Sequence, residues 1–194
     1  MDDERRVRAL LDFWFGAPGT PEHDAPREVW FKADPAFDAA LATQFGEDHR
    51  RAAAGGCDHW LGARDPALAL VLLLDQLPRN LHRGRPEAFA CDARARASAR
   101  QAIARGFDKE LSPVRRSFLY LPFEHSEDLA DQELSLALYA AMPPNPKHAS
   151  NLDFARRHHA IIARFGRFPH RNRALGRVST PEEEAFLREP GSSF

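Results

Sequence analysis

Three stretches concentrate side chains that do chemistry. Residues 166–177, GRFPHRNRALGR, set four arginines, a histidine and an asparagine around Pro169 and two glycines. Arg167, His170, Arg171 and Asn172 supply guanidinium forks, an imidazole and an amide, a donor set that holds phosphate or carboxylate. Glycine lets backbone approach such a group closely. The competing structural use is a tie, with Arg and His bonded to carbonyls left open at helix ends. Residues 75–80, DQLPRN, end a run too apolar for a surface helix. Asp75 therefore needs a buried partner, and Arg79 is nearest in sequence. Pro78 breaks the backbone and frees carbonyls of the preceding turn. Asp75, Arg79 and Asn80 either satisfy that turn and one another or face a ligand. In EHSED, residues 124–128, Ser126 reads as a helix cap, and Glu127 and Asp128 favour a helix N-terminus. His125 is left beside carboxylates that orient or charge it, as a ligand-facing group or as a satisfied structural histidine.

A fourth feature joins these. Phe154, His158, Ile161 and Phe165 fall at i, i+4, i+7 and i+11, which turns His158 inward from an apolar stripe. His125 or His158 would be the general base of an enzyme, tuned by Glu127 or Asp75, with arginines stabilising developing negative charge. A metal variant would use His125, Glu127 and His158. The chain has no HExxH and no histidine four residues from His158 or His159, so the common helical zinc motif is absent and no metal is expected. Nucleophile-elbow and phosphate-loop signatures are absent too.

The elements that must position these residues read as helices. Val7, Leu10, Leu11 and Trp14 stripe Glu4–Phe15, and Gly16 closes it. Asp34-Pro35 caps and starts a helix carrying Phe37, Leu41 and Phe45, with Gly55-Gly56 at its end. Asp65-Pro66 repeats that start for a central buried helix over Ala67–Leu77. An Ala-rich helix spans Glu87–Arg105, with Asp92 and Arg96 spaced to pair and Gly106 as its stop. Ser112-Pro113 starts a short helix through Phe118 and Leu119, reaching to about Leu121. Ser126 caps another to about Ala141, whose inward stripe of Leu129, Gln132, Leu136 and Tyr139 buries an amide. One more covers His148–Phe165 and stops at Gly166. Thr180-Pro181-Glu182-Glu183 is a capping box launching a last helix to Arg188. Trp14, Trp30 and Trp60 sit near helix ends or in loops, as packing at a core edge. The expectation is a single all-α domain over 1–194, an antiparallel array of seven to nine helices with no significant sheet.

Bulk properties bound the function. At 194 residues and 43% hydrophobic, the chain can bury a real core. A net charge of -1 and a pI near 6.8 argue against a general polyanion binder, so no nucleic acid is expected. Arginine outnumbers lysine 24 to 3, alongside much alanine and proline, a bias that GC-rich coding produces without any ligand. Cys57 and Cys91 lie apart with no metal-type spacing, which fits free thiols in a reducing compartment. The first residues are not a signal peptide and no apolar run approaches a membrane span, so a soluble cytoplasmic protein is expected.

The motifs LLDFWFG, LLDQLPRN with HRG, LPFEHSED followed by Gln132, RFGRFPHRN with LGR, STPEE and the terminal PGSSF, taken in order, resemble the bacterial family called domain of unknown function 924. The resemblance covers nearly the whole chain. It implies an all-helical, tetratricopeptide-like fold and no established activity. The family's polar motifs fall here on Asp75, Gln76, Arg79, Asn80, His125, Ser126, Glu127, Gln132, His158, Arg167, His170, Arg171 and Asn172. Three functions remain open: a domain holding a small anionic ligand in a pocket of Arg, Asn and His, an enzyme working in the same pocket, and a tetratricopeptide-like peptide scaffold. No cofactor is identified by the sequence.

Overall fold

A computed structural model describes residues 3–144 and 147–193, so Phe194 of PGSSF lies outside the described residues. The structure is all-α, with no strand among the described residues. No helix among them is long and apolar enough to cross a membrane. Backbone contacts group the chain into two compact units. One holds the residues up to Arg83 together with Ala88–Pro122; the other holds Gly84–Glu87 and everything from Phe123 onward.

The first unit starts with α1 (Asp3–Phe15), whose expected stripe is buried. Gly16 ends it at φ +80, where a Cβ would lie 2.6 Å from the backbone of Glu22. Only glycine fits there, and the tight return lets the Asp24 N–H reach the Phe15 carbonyl. In α2 (Pro35–Ala53) Asp34 accepts from the N–H groups of Ala36 and Phe37, as its cap role requires. Leu41 and Phe45 are buried. Trp14, Trp30 and Phe118 pack ring against ring, and the Trp30 indole donates to the Trp14 carbonyl at 3.0 Å. Trp60 is buried as well, so all three tryptophans lie inside this unit.

The central helix differs from expectation at both ends. α3 (Arg64–Val71) begins at Arg64 after an extended Ala63, and Asp65 binds the Arg64 side chain rather than capping the backbone. Pro78 does not stop the chain. A π turn over Leu72–Gln76 leads into α4 (Leu77–Leu81), with the Leu77 N–H on the Leu72 carbonyl five residues back. The extra residue in that turn lets the helix run on through a proline that cannot donate. The Leu73 carbonyl thereby loses both helical partners: Leu77 bonds elsewhere, and Pro78 has no N–H. His49 donates its Nδ1–H to that carbonyl at 2.8 Å. The Ala-rich helix is shorter than expected: a 3-10 turn at Pro86–Phe89 precedes α5 (Asp92–Ala104). Asp92, the first residue of α5, accepts both Nη atoms of Arg79, at 2.9 and 3.0 Å.

α6 (Pro113–Glu124) outlasts the expected short helix and passes through Pro122, its last two residues belonging to the second unit. That unit adds α7 (Leu129–Ala140), α8 (His148–Phe165), a 3-10 turn at Pro169–Arg171 and α9 (Pro181–Leu187). Asp128, not Ser126, caps α7, accepting from the Ala130 N–H at 2.8 Å. The Ser126 hydroxyl instead donates to Asp131 and accepts from the Asp128 N–H, bracing the approach to the helix. The Thr180 capping box forms with Glu183 as its return partner. Ile161, Ile162 and Phe168 make the apolar core of the loop region, flanked by Phe165 and Phe186. Phe154 and Leu129 are exposed, so each expected stripe covers less of its helix than its period allows.

Candidate functional site

Asp75 is fully buried, placed by the π turn among apolar neighbours. Its carboxylate accepts from the Gln76 amide at 2.7 Å and lies 3.2 Å from Arg79. Arg79 also donates to the Asp75 carbonyl and holds Asp92 in a two-point fork. Burial works against the charge of Arg79, but Asp75 and Asp92 outweigh it and hold the guanidinium above its ordinary pKa. Asn80 donates to Asp38 at 2.8 Å, and Arg83 grips the same carboxylate. Asp75, Gln76 and Arg79 thus belong to one network that ends on Asp92, and Asn80 to a second one around Asp38, both inside the first unit. The partnership of Asp38 was not legible, because 42 residues separate it from Asn80.

The other two clusters meet in the second unit. His158 is 5% exposed and donates Nδ1–H to the Phe154 carbonyl at 2.8 Å, a bond to its own preceding turn. A carbonyl only accepts, so this bond fixes the proton on Nδ1 and makes Nε2 the acceptor nitrogen. Glu124 lies 3.3 Å from the same Nδ1. A carboxylate so near favours an imidazolium, but burial dominates. With His125, Arg171 and His170 close by, the His158 pKa falls to about 3, and the ring is neutral at pH 7. His170 is pushed down to about 4 by burial and by Arg171, against the opposing pull of Glu127.

Phe168 organises this region. His158 meets it edge-on at 5.6 Å between ring centres, His170 lies at 5.4 Å, and the Arg171 guanidinium sits 4.4 Å over its face. His125 lies 6.4 Å from His158, ring to ring. Arg171 is 6% exposed, so its charge acts where water screens little.

The remaining loop donors hold the loop itself. Arg167 forks onto Glu183 at 2.6 and 2.8 Å, and with other donors it brings that carboxyl down to about 2. Asn172 donates to Ser179 and Glu183. Glu127 accepts the Phe168 N–H and a fork from Arg177. Burial raises its pKa, but these donors win and the group titrates below its usual range. The Gln132 amide is wholly buried and donates to the Glu124 and Ser126 carbonyls at 2.7 Å each, tying off the end of α6 beyond Pro122. Among the described residues no three His, Cys, Asp or Glu side chains are grouped to hold a metal ion.

A model of a bacterial protein family of unknown function, DUF924, matches residues 10–191. This chain belongs to that family. A solved structure of a protein of unknown function from Agrobacterium tumefaciens is 40% identical, with a TM-score of 0.86 over 96% of this chain and 99% of that one. No curated protein matches the chain. Membership in DUF924 carries a fold and a motif set, so any function must be argued from the site.

The first unit also has two concavities that sequence patterns did not signal. A cleft of about 940 Å³ includes Asp24, Arg64, Asp65 and Arg115, with Arg64 bound to Asp65 and Arg115 to Asp24. A smaller pocket of about 370 Å³ is lined by Thr43, Gly46, Glu47, His49, Leu81 and His82 among others.

Proposed function

We propose that the second unit binds a small anion, phosphate or carboxylate, at Arg171 beside His125, His158 and His170. The observation that carries this reading is the grouping of a buried guanidinium and two imidazoles, His158 and His170, on Phe168, with His125 beside His158. Arg79, Asn80, Arg167, Asn172 and Arg177 form the framework, since their donors serve Asp92, Asp38, Glu183 and Glu127. Arg171 supplies the charge for the ligand, and His158 and His170, kept neutral by burial, supply polar walls. Neutral imidazoles accept from a ligand hydroxyl or a protonated phosphate as readily as they donate.

Binding is favoured over catalysis by one number. An effective general base has a pKa near the working pH, and His158 at about 3 is far below it. An anion bound next to His158 would raise that pKa, so any acid–base chemistry here depends on binding first. The test is heat stability: phosphate, nucleotides or carboxylated metabolites should raise the melting temperature, and Arg171→Ala should remove the rise. A broad metabolite screen without a hit overturns the proposal.

A further inference from the structure

The pocket at His49 lies in the first unit and has no part in the anion site. His49 is one helical position past Asp48 on α2 and reaches the π turn to donate Nδ1–H to the Leu73 carbonyl at 2.8 Å. That carbonyl needs an outside donor because Pro78 denies it one. The bond sets the His49 tautomer, leaving the lone pair on Nε2, and it fixes the ring's tilt. His82 stands at the C-cap of α4, with its ring centre 6.4 Å from that of His49 and the planes at 51°. Both rings line the same pocket of about 370 Å³. Gly46 lies in its wall, and a Cβ there would meet nothing within 4 Å. The pocket has room for water beside the two rings.

We propose that His49 and His82 together bind a first-row transition-metal ion of the zinc, copper and nickel class. The ligand type selects the class: imidazole suits these ions, and no thiol lines the pocket to favour a softer one. The hydrogen bond from Nδ1 to a backbone carbonyl is the arrangement by which metal-binding histidines are commonly oriented. A shared ion draws two rings closer than 6.4 Å, and His82, half-exposed just past a helix end, is the one with freedom to turn. Only two protein ligands are grouped here, so water or a small exogenous ligand fills the other positions.

The experiment uses the full chain without an affinity tag. Copper(II) is titrated and followed by electron paramagnetic resonance, and zinc affinity is read by competition with a chromophoric chelator. One equivalent should bind with nitrogen hyperfine structure from two imidazoles. His82→Ala should weaken binding at least tenfold. His49→Ala risks destabilising the protein by orphaning the Leu73 carbonyl. His49→Asn keeps an amide donor for that carbonyl while removing Nε2, and it should weaken binding as much as His82→Ala. His159→Ala, on α8, should change nothing. Failure to bind one equivalent, a spectrum without two imidazole nitrogens, or binding that survives His82→Ala and His49→Asn overturns the proposal.

Discussion

Arg79-Asn80 and Arg171-Asn172 are the same dipeptide, each within a few residues of a proline, and they solve different problems. The two asparagines behave alike: Asn80 donates to Asp38, and Asn172 donates to Glu183. The two arginines do not. Arg79 meets Asp75 and Asp92, one buried charge balanced by two. Arg171 lies over the Phe168 ring in a neighbourhood of imidazoles. A cation whose counter-charges are built into the fold is structural. A cation held over an aromatic face, beside two imidazoles that burial keeps neutral, is suited to meeting an anion from outside.

That contrast is open to attack by mutation. Arg79→Ala leaves the buried Asp75 and the half-buried Asp92 without their cation and should cost about 3–5 kcal/mol in urea unfolding. Arg171→Ala should cost clearly less and show itself as lost ligand protection. Equal losses would erase the distinction. Acid should discriminate next. His158 and His170 have folded pKa values of about 3 and about 4, below the ordinary 6.5. The unfolded chain therefore binds more protons, and stability falls as pH drops from about 6.5 toward those values. The slope is about 1.4 kcal/mol per pH unit for each histidine. His158→Gln should flatten the slope measured between pH 6.5 and 5, whereas Asn80→Ala should leave it unchanged. Asn80→Ala and Asn172→Ala should each cost about 1–3 kcal/mol, since each removes a donor from a carboxylate, half-buried in Asp38 and buried in Glu183; a large inequality would mean the asparagines are not equivalent after all. Thr180→Ala, which opens the capping box beside Glu183, should cost about 1 kcal/mol, read by circular dichroism.

Sequence revealed what is locally determined. Asp34-Pro35, Thr180 with Glu183, Gly106 and Gly166 act through their own few neighbours, and they lie where the pattern put them. Sequence failed where a distant group decides. Pro78 reads as a break because the donor that rescues the turn, His49, lies 24 residues from Leu73. Ser126 reads as a cap because Asp131, which draws its hydroxyl away, competes only once α7 exists. The polar candidates were visible as residue types, and their partition was not. Whether an arginine is matched by carboxylates depends on which helices pack together. Asp38, which settles the matter for Asn80, carries no mark in its own spacing, and the spacing of Asp92 points to Arg96 rather than to Arg79.

All three tryptophans are buried in the first unit, and the second unit has none. Fluorescence excited selectively at tryptophan, so that Tyr139 of the second unit stays dark, is therefore a private channel to the first unit, while far-ultraviolet circular dichroism sums helices from both. Overlaid denaturation curves from the two signals report directly on cooperativity. Coincidence would mean that the halves melt as one body. A dichroism transition that precedes the fluorescence change would reveal an intermediate with the first unit still folded, obtained without a label or an added probe.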